Sequence, residues 1–267
     1  MKFFKTDKIS IHYQVMKRDP GAPVLVFSNS LGTDFRIWDD VVAVLEEDFT
    51  IVRYDKRGHG LSGLGTVPYT LDDHIDDLEA LLDHLNFTQS TVCGLSVGGL
   101  IAQGLYARRP ELVSSLILCD TAHVIGTPAM WQERMDVLLA GGLAPMVDGV
   151  MERWFTSDFR NDDTSSYQLY RTMFERQDLS GYVGTCAAIR DADLTIEAGR
   201  ISVPTLCLVG DQDAATPPEL VLELANLISG AKYQMIEKAG HIPCVEQPQI
   251  FTDLVKEFTQ NLIAGGR

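Results

Sequence analysis

Short apolar runs of strand length alternate along this chain with longer segments of helical period, and that alternation limits its possible folds more than any other feature. Val24-Leu25-Val26-Phe27, Ile51-Val52-Arg53-Tyr54, Thr91-Val92-Cys93, Ser115 to Cys119, Thr205 to Val209 and Tyr233 to Ile236 read as core strands. Lys8 to Met16 alternates Ile9, Ile11, Tyr13 and Val15, and is expected to form an antiparallel edge hairpin with Phe3-Phe4. Between them, Trp38 to Glu47, Leu71 to Leu85, Gly98 to Arg108, Pro218 to Ile228 and Ile250 to Ile263 carry apolar residues at helical spacing. In Leu71 to Leu85 this spacing leaves the acids on a solvated face. The pattern is that of an α/β fold whose mostly parallel sheet is covered by helices on both sides.

The order breaks after Asp120. From about Gly126 to Arg200 the strand signal vanishes, and Met130 to Leu139, Ala144 to Trp154, Ser165 to Glu175 and Ser180 to Asp191 read as helices. The expected organisation is a core of residues 1–122 and 201–267, with residues 123–200 inserted between two strands as a helical cap. Such a cap would lie over the carboxyl ends of the strands, where open α/β sheets bind ligands. The tail Ala264-Gly265-Gly266-Arg267 is expected to fray.

Composition narrows the partners. A chain of 267 residues with 45% hydrophobic content can bury one large core. Its apolar runs fall far short of the roughly 20 residues that a membrane-spanning helix needs. The first residues, Met1 to Asp7, show neither an apolar signal-peptide core nor a small-residue cleavage site, so a cytoplasmic location is expected. A net charge of −15 repels nucleic acid and anionic membrane surfaces and leaves small molecules as the expected partners. Five cysteines show no metal-ligand spacing, and Cys93, Cys119 and Cys207 fall in or at the end of apolar strands. No metal is expected.

The chemistry is concentrated around Val92-Cys93-Gly94-Leu95-Ser96-Val97-Gly98-Gly99. A serine among glycines can simply cap a helix, and G-x-S-x-G alone is a weak signal. Here the motif follows the strand Thr91-Val92-Cys93 directly and opens a helix, the strand-turn-helix setting of a nucleophile elbow. In that turn the strand and helix backbones come close together, so Gly94, Gly98 and Gly99 would leave out side chains that clash. Serine is a weak nucleophile at neutral pH and needs a base, which needs an orienting carboxylate. Both candidates follow in the expected chain order, Asp213 in the loop after Thr205 to Val209 and His241 in the loop after Tyr233 to Ile236. Asp211 is the alternative orienter, because it precedes Asp213 in the same loop. Of the other histidines, His12, His74 and His84 read as structural, His123 starts the cap, and His59 comes too early to be the base.

An acyl-transfer site also needs donors for an oxyanion. The amide after the nucleophile, Val97, supplies one by position, and Leu31 in Ser28-Asn29-Ser30-Leu31-Gly32-Thr33-Asp34 is the candidate for the other. The Asn, Ser and Gly of that segment equally suit an ordinary turn.

At these residues the chain resembles the α/β-hydrolase superfamily over nearly its whole length: D-x-R-G-H-G-x-S at Asp55 to Ser62, the elbow at Ser96, the acid loop at Asp213 and the late His241. It is similar in particular to the 3-oxoadipate enol-lactonases of the β-ketoadipate pathway of aromatic catabolism. Those enzymes carry S-N-S-L-G-T-D in place of the common His-Gly oxyanion motif, as Ser28 to Asp34 does. Ile125-Gly126-Thr127 followed by Trp131, R-W-F-T at Arg153 to Thr156 and I-R-D-A-D at Ile189 to Asp193 extend the likeness into the cap. The resemblance implies an α/β-hydrolase fold with a mostly parallel eight-stranded sheet, its cap inserted after the sixth strand. It implies a serine hydrolase that opens an anionic enol-lactone to the 3-oxo diacid and needs no metal or organic cofactor; the sequence leaves the oligomeric state open between monomer and homodimer.

Two departures matter. Val124 stands where the branch often has lysine, and Ile242-Pro243-Cys244 where it often has Ser-Asn, so the cation for the substrate carboxylate is open. Arg134 and Arg190 are the candidates, although each also reads as a surface or cap-stabilising arginine; Ser30 and Trp131 complete the expected substrate contacts. The competing readings are another hydrolase of this fold (a carboxylesterase, a perhydrolase or a C–C bond hydrolase) and a noncatalytic small-molecule receptor.

Overall fold

A computed structural model describes residues 2–16, 21–161 and 165–265. Eight strands form one sheet in the order β1-β2-β4-β3-β5-β6-β7-β8: β1 (Lys2–Lys5), β2 (Ser10–Met16), β3 (Val24–Ser28), β4 (Thr50–Tyr54), β5 (Ser90–Leu95), β6 (Val113–Cys119), β7 (Thr205–Gly210) and β8 (Lys232–Ile236). β1 pairs with β2 and β2 with β4 antiparallel, and every pairing from β4 across to β8 is parallel. The expected hairpin at the edge is thus present, with β1 as the edge strand and His12 one strand in.

The helices follow the same logic. α1 (Asp39–Leu45), α2 (Leu71–Leu85), α3 (Val97–Arg108), α10 (Pro218–Leu227), α11 (Pro243–Glu246) and α12 (Pro248–Gly265) flank the sheet. Between β6 and β7 come α4 (Pro128–Gly141), α5 (Val147–Trp154), α6 (Ser157–Asn161), α7 (Ser165–Glu175), α8 (Leu179–Arg190) and α9 (Thr195–Ala198). The expected helix from Trp38 is divided: Phe35–Trp38 is a 3₁₀ turn, capped by the Asp34 side chain accepting from the Arg36 amide, and α1 begins after it. α12 carries helical backbone to Gly265, beyond the point where fraying is expected; Gly266 and Arg267 lie outside the described residues.

α2 starts at a capping box, in which Thr70 Oγ1 accepts from the Asp73 amide while the Asp73 carboxylate accepts from the Thr70 amide. Its face of acids is not wholly solvated. Asp77 is 3% exposed and takes two hydrogen bonds from Arg57, at 2.7 and 2.8 Å. The helical period places Asp77 correctly on the helix, but the partner that buries it comes from the loop after β4.

Trp38, wholly buried between Phe27 and Phe251, ties this core to the site. Its indole N–H donates to Asn29 Oδ1 at 3.1 Å, and the Asn29 amide donates to the Tyr54 carbonyl at 3.2 Å. The loop after β3 is thus fixed at its first residues by the core itself. No helix among the described residues is long and apolar enough to cross a membrane.

Candidate active site

Four neighbouring strand ends, β5 to β8, present Ser96, Asp120, Asp213 and His241 in sheet order. Ser96 joins β5 to α3 at φ 58° and ψ −121°, a left-handed conformation that costs a non-glycine residue about 1–3 kcal/mol. Its backbone is held from three sides: its N–H donates to the Cys119 carbonyl at 3.0 Å, and its carbonyl accepts from Thr121 Oγ1 at 2.7 Å and the Gly99 amide at 2.8 Å. The Ser96 side chain makes no capping bond to α3, so helix capping does not explain the serine. The glycines are required by close approach: a Cβ on Gly94 would lie 2.2 Å from the Gly98 carbonyl oxygen, and one on Gly98 2.1 Å from that of Ser28.

His241 Nδ1 lies 2.9 Å from Asp213 Oδ2, with both residues buried. With Nδ1–H donating to the carboxylate, Nε2 is left as the acceptor that a general base requires. Burial works against ionisation of Asp213. The His241 partner, with hydrogen bonds from Thr216 and Ala215, outweighs it and holds the carboxyl below its ordinary range. Asp211 instead accepts from the Ala239 amide at 3.1 Å, which shapes the His241 loop from behind. The inserted helices fix that loop from above, because the His241 N–H donates to the Trp154 carbonyl at 2.9 Å.

Sequence reasoning missed Asp120. Burial and the neighbouring Asp213 charge push its carboxyl well above the usual carboxylate range, while its Oδ1 accepts from the Gly210 amide at 2.9 Å. Asp120, Asp213 and His241 each offer one ligand atom within 4.8 Å of the others. All three already have protein partners: Asp213 and His241 are paired with each other, and Asp120 Oδ1 accepts from the Gly210 amide.

The loop after β3 faces this cluster of strand ends from the other side of β5. Among the described residues, neither the Leu31 nor the Val97 amide has a hydrogen-bond acceptor. Ser30 is buried, and its carbonyl accepts from Lys56 Nζ at 2.5 Å. The Gly32 amide donates to His59 Nε2 at 3.0 Å, while His59 Nδ1–H donates to the Arg57 carbonyl at 3.0 Å. His59 is therefore an anchor of this loop. Burial and the charge of Lys56 lower its pKa well below the usual value and keep it neutral for that task. Its position in a turn-rich segment near the site was the only sequence signal for it.

Tyr182 spans from this loop to Arg134. A Cβ on Gly32 would lie 2.9 Å from its ring, and its hydroxyl meets the Arg134 guanidinium at the other end. Arg134 also lies 5.5 Å from the Trp131 ring centroid. Its Nε is buried without a hydrogen-bond partner, and no carboxylate pairs with it among the described residues. Trp131 spends its own indole N–H on the Ile125 carbonyl at 2.6 Å, so it offers a face and not a donor. Arg190 is corrected: Asp191 and Gln132 occupy its guanidinium at 2.7 Å each on the exposed side of α8. Helical period alone could not separate it from Arg134.

An elbow serine, a buried His–Asp pair at successive strand ends and a parallel sheet interrupted by helices define a hydrolase architecture. The signature of the alpha/beta hydrolase fold matches residues 23–187, and the chain belongs to that family. The 3-oxoadipate enol-lactonase 2 of Acinetobacter baylyi is 36% identical over 234 residues, covering 88% of this chain and 87% of that one. The crystal structure of the enol-lactonase from Burkholderia xenovorans superposes with a TM-score of 0.93 at 37% identity, covering 97% of this chain and all of that one. A putative carbamate hydrolase of Pantoea ananatis is 26% identical over 257 residues, covering 94% of this chain and 93% of that one.

Proposed function

We propose that this hydrolase opens the ring of 3-oxoadipate enol-lactone or a closely related anionic lactone, with Ser96, His241 and Asp213 as its triad. The observation that carries the substrate class is Arg134, a guanidinium with a buried, unbonded Nε and, among the described residues, no acid to neutralise it. A charge left in that state favours an anionic ligand, because a bound carboxylate would supply the missing acceptors. The enol-lactonases among its relatives support the same reading.

In this mechanism Ser96 Oγ attacks the ring carbonyl while His241 Nε2 takes the hydroxyl proton. Asp213 holds the imidazole and stabilises its cation. The Leu31 and Val97 amides donate to the oxyanion of the tetrahedral intermediate. Collapse breaks the ring C–O bond, and His241 returns its proton to the enolate oxygen, which remains tethered to the acyl-enzyme through the opened chain. Water, activated by His241, then releases the acid and restores Ser96; the freed enol tautomerises to the ketone. We assign residues 123–200 the role of a cap that selects the acyl group, with Ser30, Trp131 and Arg134 facing the substrate.

Turnover of freshly generated enol-lactone by the purified protein should exceed that of short acyl esters by orders of magnitude; the reverse preference would reject this substrate. Arg134→Met should raise KM for the lactone about 10- to 150-fold, the value of one charged hydrogen bond, and leave neutral esters nearly unaffected. Equal effects on both substrates would remove Arg134 from the site. A carbamate hydrolase is the second reading, supported by the relatives of that description, and the same assay with a carbamate substrate distinguishes it.

A further inference from the structure

Lys56 has no part in the triad, yet it is among the most buried side chains, at 1% exposure. No carboxylate lies within 4.0 Å of its Nζ among the described residues. Nζ instead donates to the Ser30 carbonyl at 2.5 Å, with the Thr33 carbonyl at 3.4 Å. The Ser30 carbonyl also accepts from Thr33 Oγ1 at 2.9 Å and from the Thr33 amide at 3.3 Å. It is the opposite end of the peptide unit that carries the Leu31 N–H. Three donors, one of them a lysine amine that is cationic when protonated, therefore draw electron density along this single peptide, and hydrogen bonds in such chains strengthen one another. His59 clamps the next amide, Gly32, so the loop is fixed at two successive peptides.

A buried ammonium costs several kcal/mol in desolvation, and an apolar side chain of similar volume would pack this space without that penalty. We propose that Lys56 is a positioning and polarising residue for the oxyanion site: it holds the Ser30–Leu31 peptide with its N–H toward the reacting carbonyl and makes that N–H a stronger donor. The assignment rests on the reading of Ser96 as nucleophile and Leu31 as oxyanion donor. It does not depend on which acyl group is hydrolysed.

The amine also titrates in a useful range. Burial pulls Lys56 down to about 7, against the upward pull of Asp55 and Asp34. The other titratable groups facing it, His59 and His74, are kept neutral, chiefly by burial. The cation is present below that pKa and is lost as pH rises through it. The polarising effect should therefore fade on the alkaline side while the neutral amine still donates its hydrogen bond.

The test uses acylation of Ser96 by p-nitrophenyl acetate, followed as the pre-steady-state burst, in the parent protein, Lys56→Met and Lys56→Gln. Lys56→Met should slow acylation about 10- to 100-fold, less than direct loss of an oxyanion donor, with KM changed by no more than about twofold. Affinity for a trifluoromethyl ketone, whose adduct carries the oxyanion, should fall in parallel. The parent's acylation rate should decline on the alkaline side between about pH 6 and 9, and Lys56→Gln, which has no charge to lose, should not show that decline. Variants within about twofold of the parent would overturn the proposal, as would unchanged ketone affinity or an alkaline limb that persists in Lys56→Gln. If neither variant folds, the profile of the parent decides, since absence of the alkaline limb is sufficient to refute it. Failure of the parent to acylate at Ser96 would defeat the triad reading and this proposal together, whereas acylation insensitive to Lys56 defeats this proposal alone.

Discussion

Replacing Ser96 with alanine should lower kcat by about 10⁴- to 10⁶-fold and leave the melting temperature almost unchanged. Both parts follow from the elbow. The strained backbone at φ 58° is held by bonds from Thr121 and Gly99 and by the bond to Cys119, none of which involves the hydroxyl. Removing Oγ should therefore delete the proposed nucleophile without releasing the turn. Activity that survives within tenfold would mean that Ser96 is not the attacking group. Circular dichroism and thermal unfolding of the variant would show whether the fold is intact.

The second large effect lies away from the chemistry. Asp77→Ala should destabilise the protein by about 3–5 kcal/mol, lowering the melting temperature by about 6–20 °C. Arg57 and Asp77 are 2% and 3% exposed, and their two hydrogen bonds join the loop after β4 to α2. Without Asp77 the guanidinium remains buried beside the Tyr69 ring. Among the described residues only Asp73, 3.0 Å away and partly exposed, is left to neutralise it. The same loop carries Lys56 and His59 to the proposed oxyanion segment, so activity at moderate temperature should fall before the protein unfolds. A melting temperature shifted by less than about 3 °C would reduce this pair to the value of a surface ion pair.

The sheet was legible in the sequence because strands covered on both faces must be apolar along their length, as Leu25-Val26-Phe27 and Leu116-Ile117-Leu118 are. The elbow was legible for a related reason: two backbones meeting within a van der Waals radius admit only glycine, and glycines in that register leave a mark in the sequence. What escaped was short or nonlocal. α6, α9 and α11 have five residues or fewer, too short for a helical period to declare itself. The burial of Asp77, the raised pKa of Asp120 beside Asp213, and the grip of Lys56 and His59 on the loop after β3 depend on partners brought together only by folding. Arg134 and Arg190 look alike in sequence; among the described residues one is left without an acid against Tyr182, and the other is neutralised by its neighbour Asp191.

The most direct test is covalent. A fluorophosphonate should add one phosphonyl group to the intact protein, peptide mapping should find it on Ser96, and His241→Gln should slow its formation by several orders of magnitude. Labelling elsewhere, or at the same rate with and without the imidazole, would contradict a serine activated by the His241–Asp213 pair.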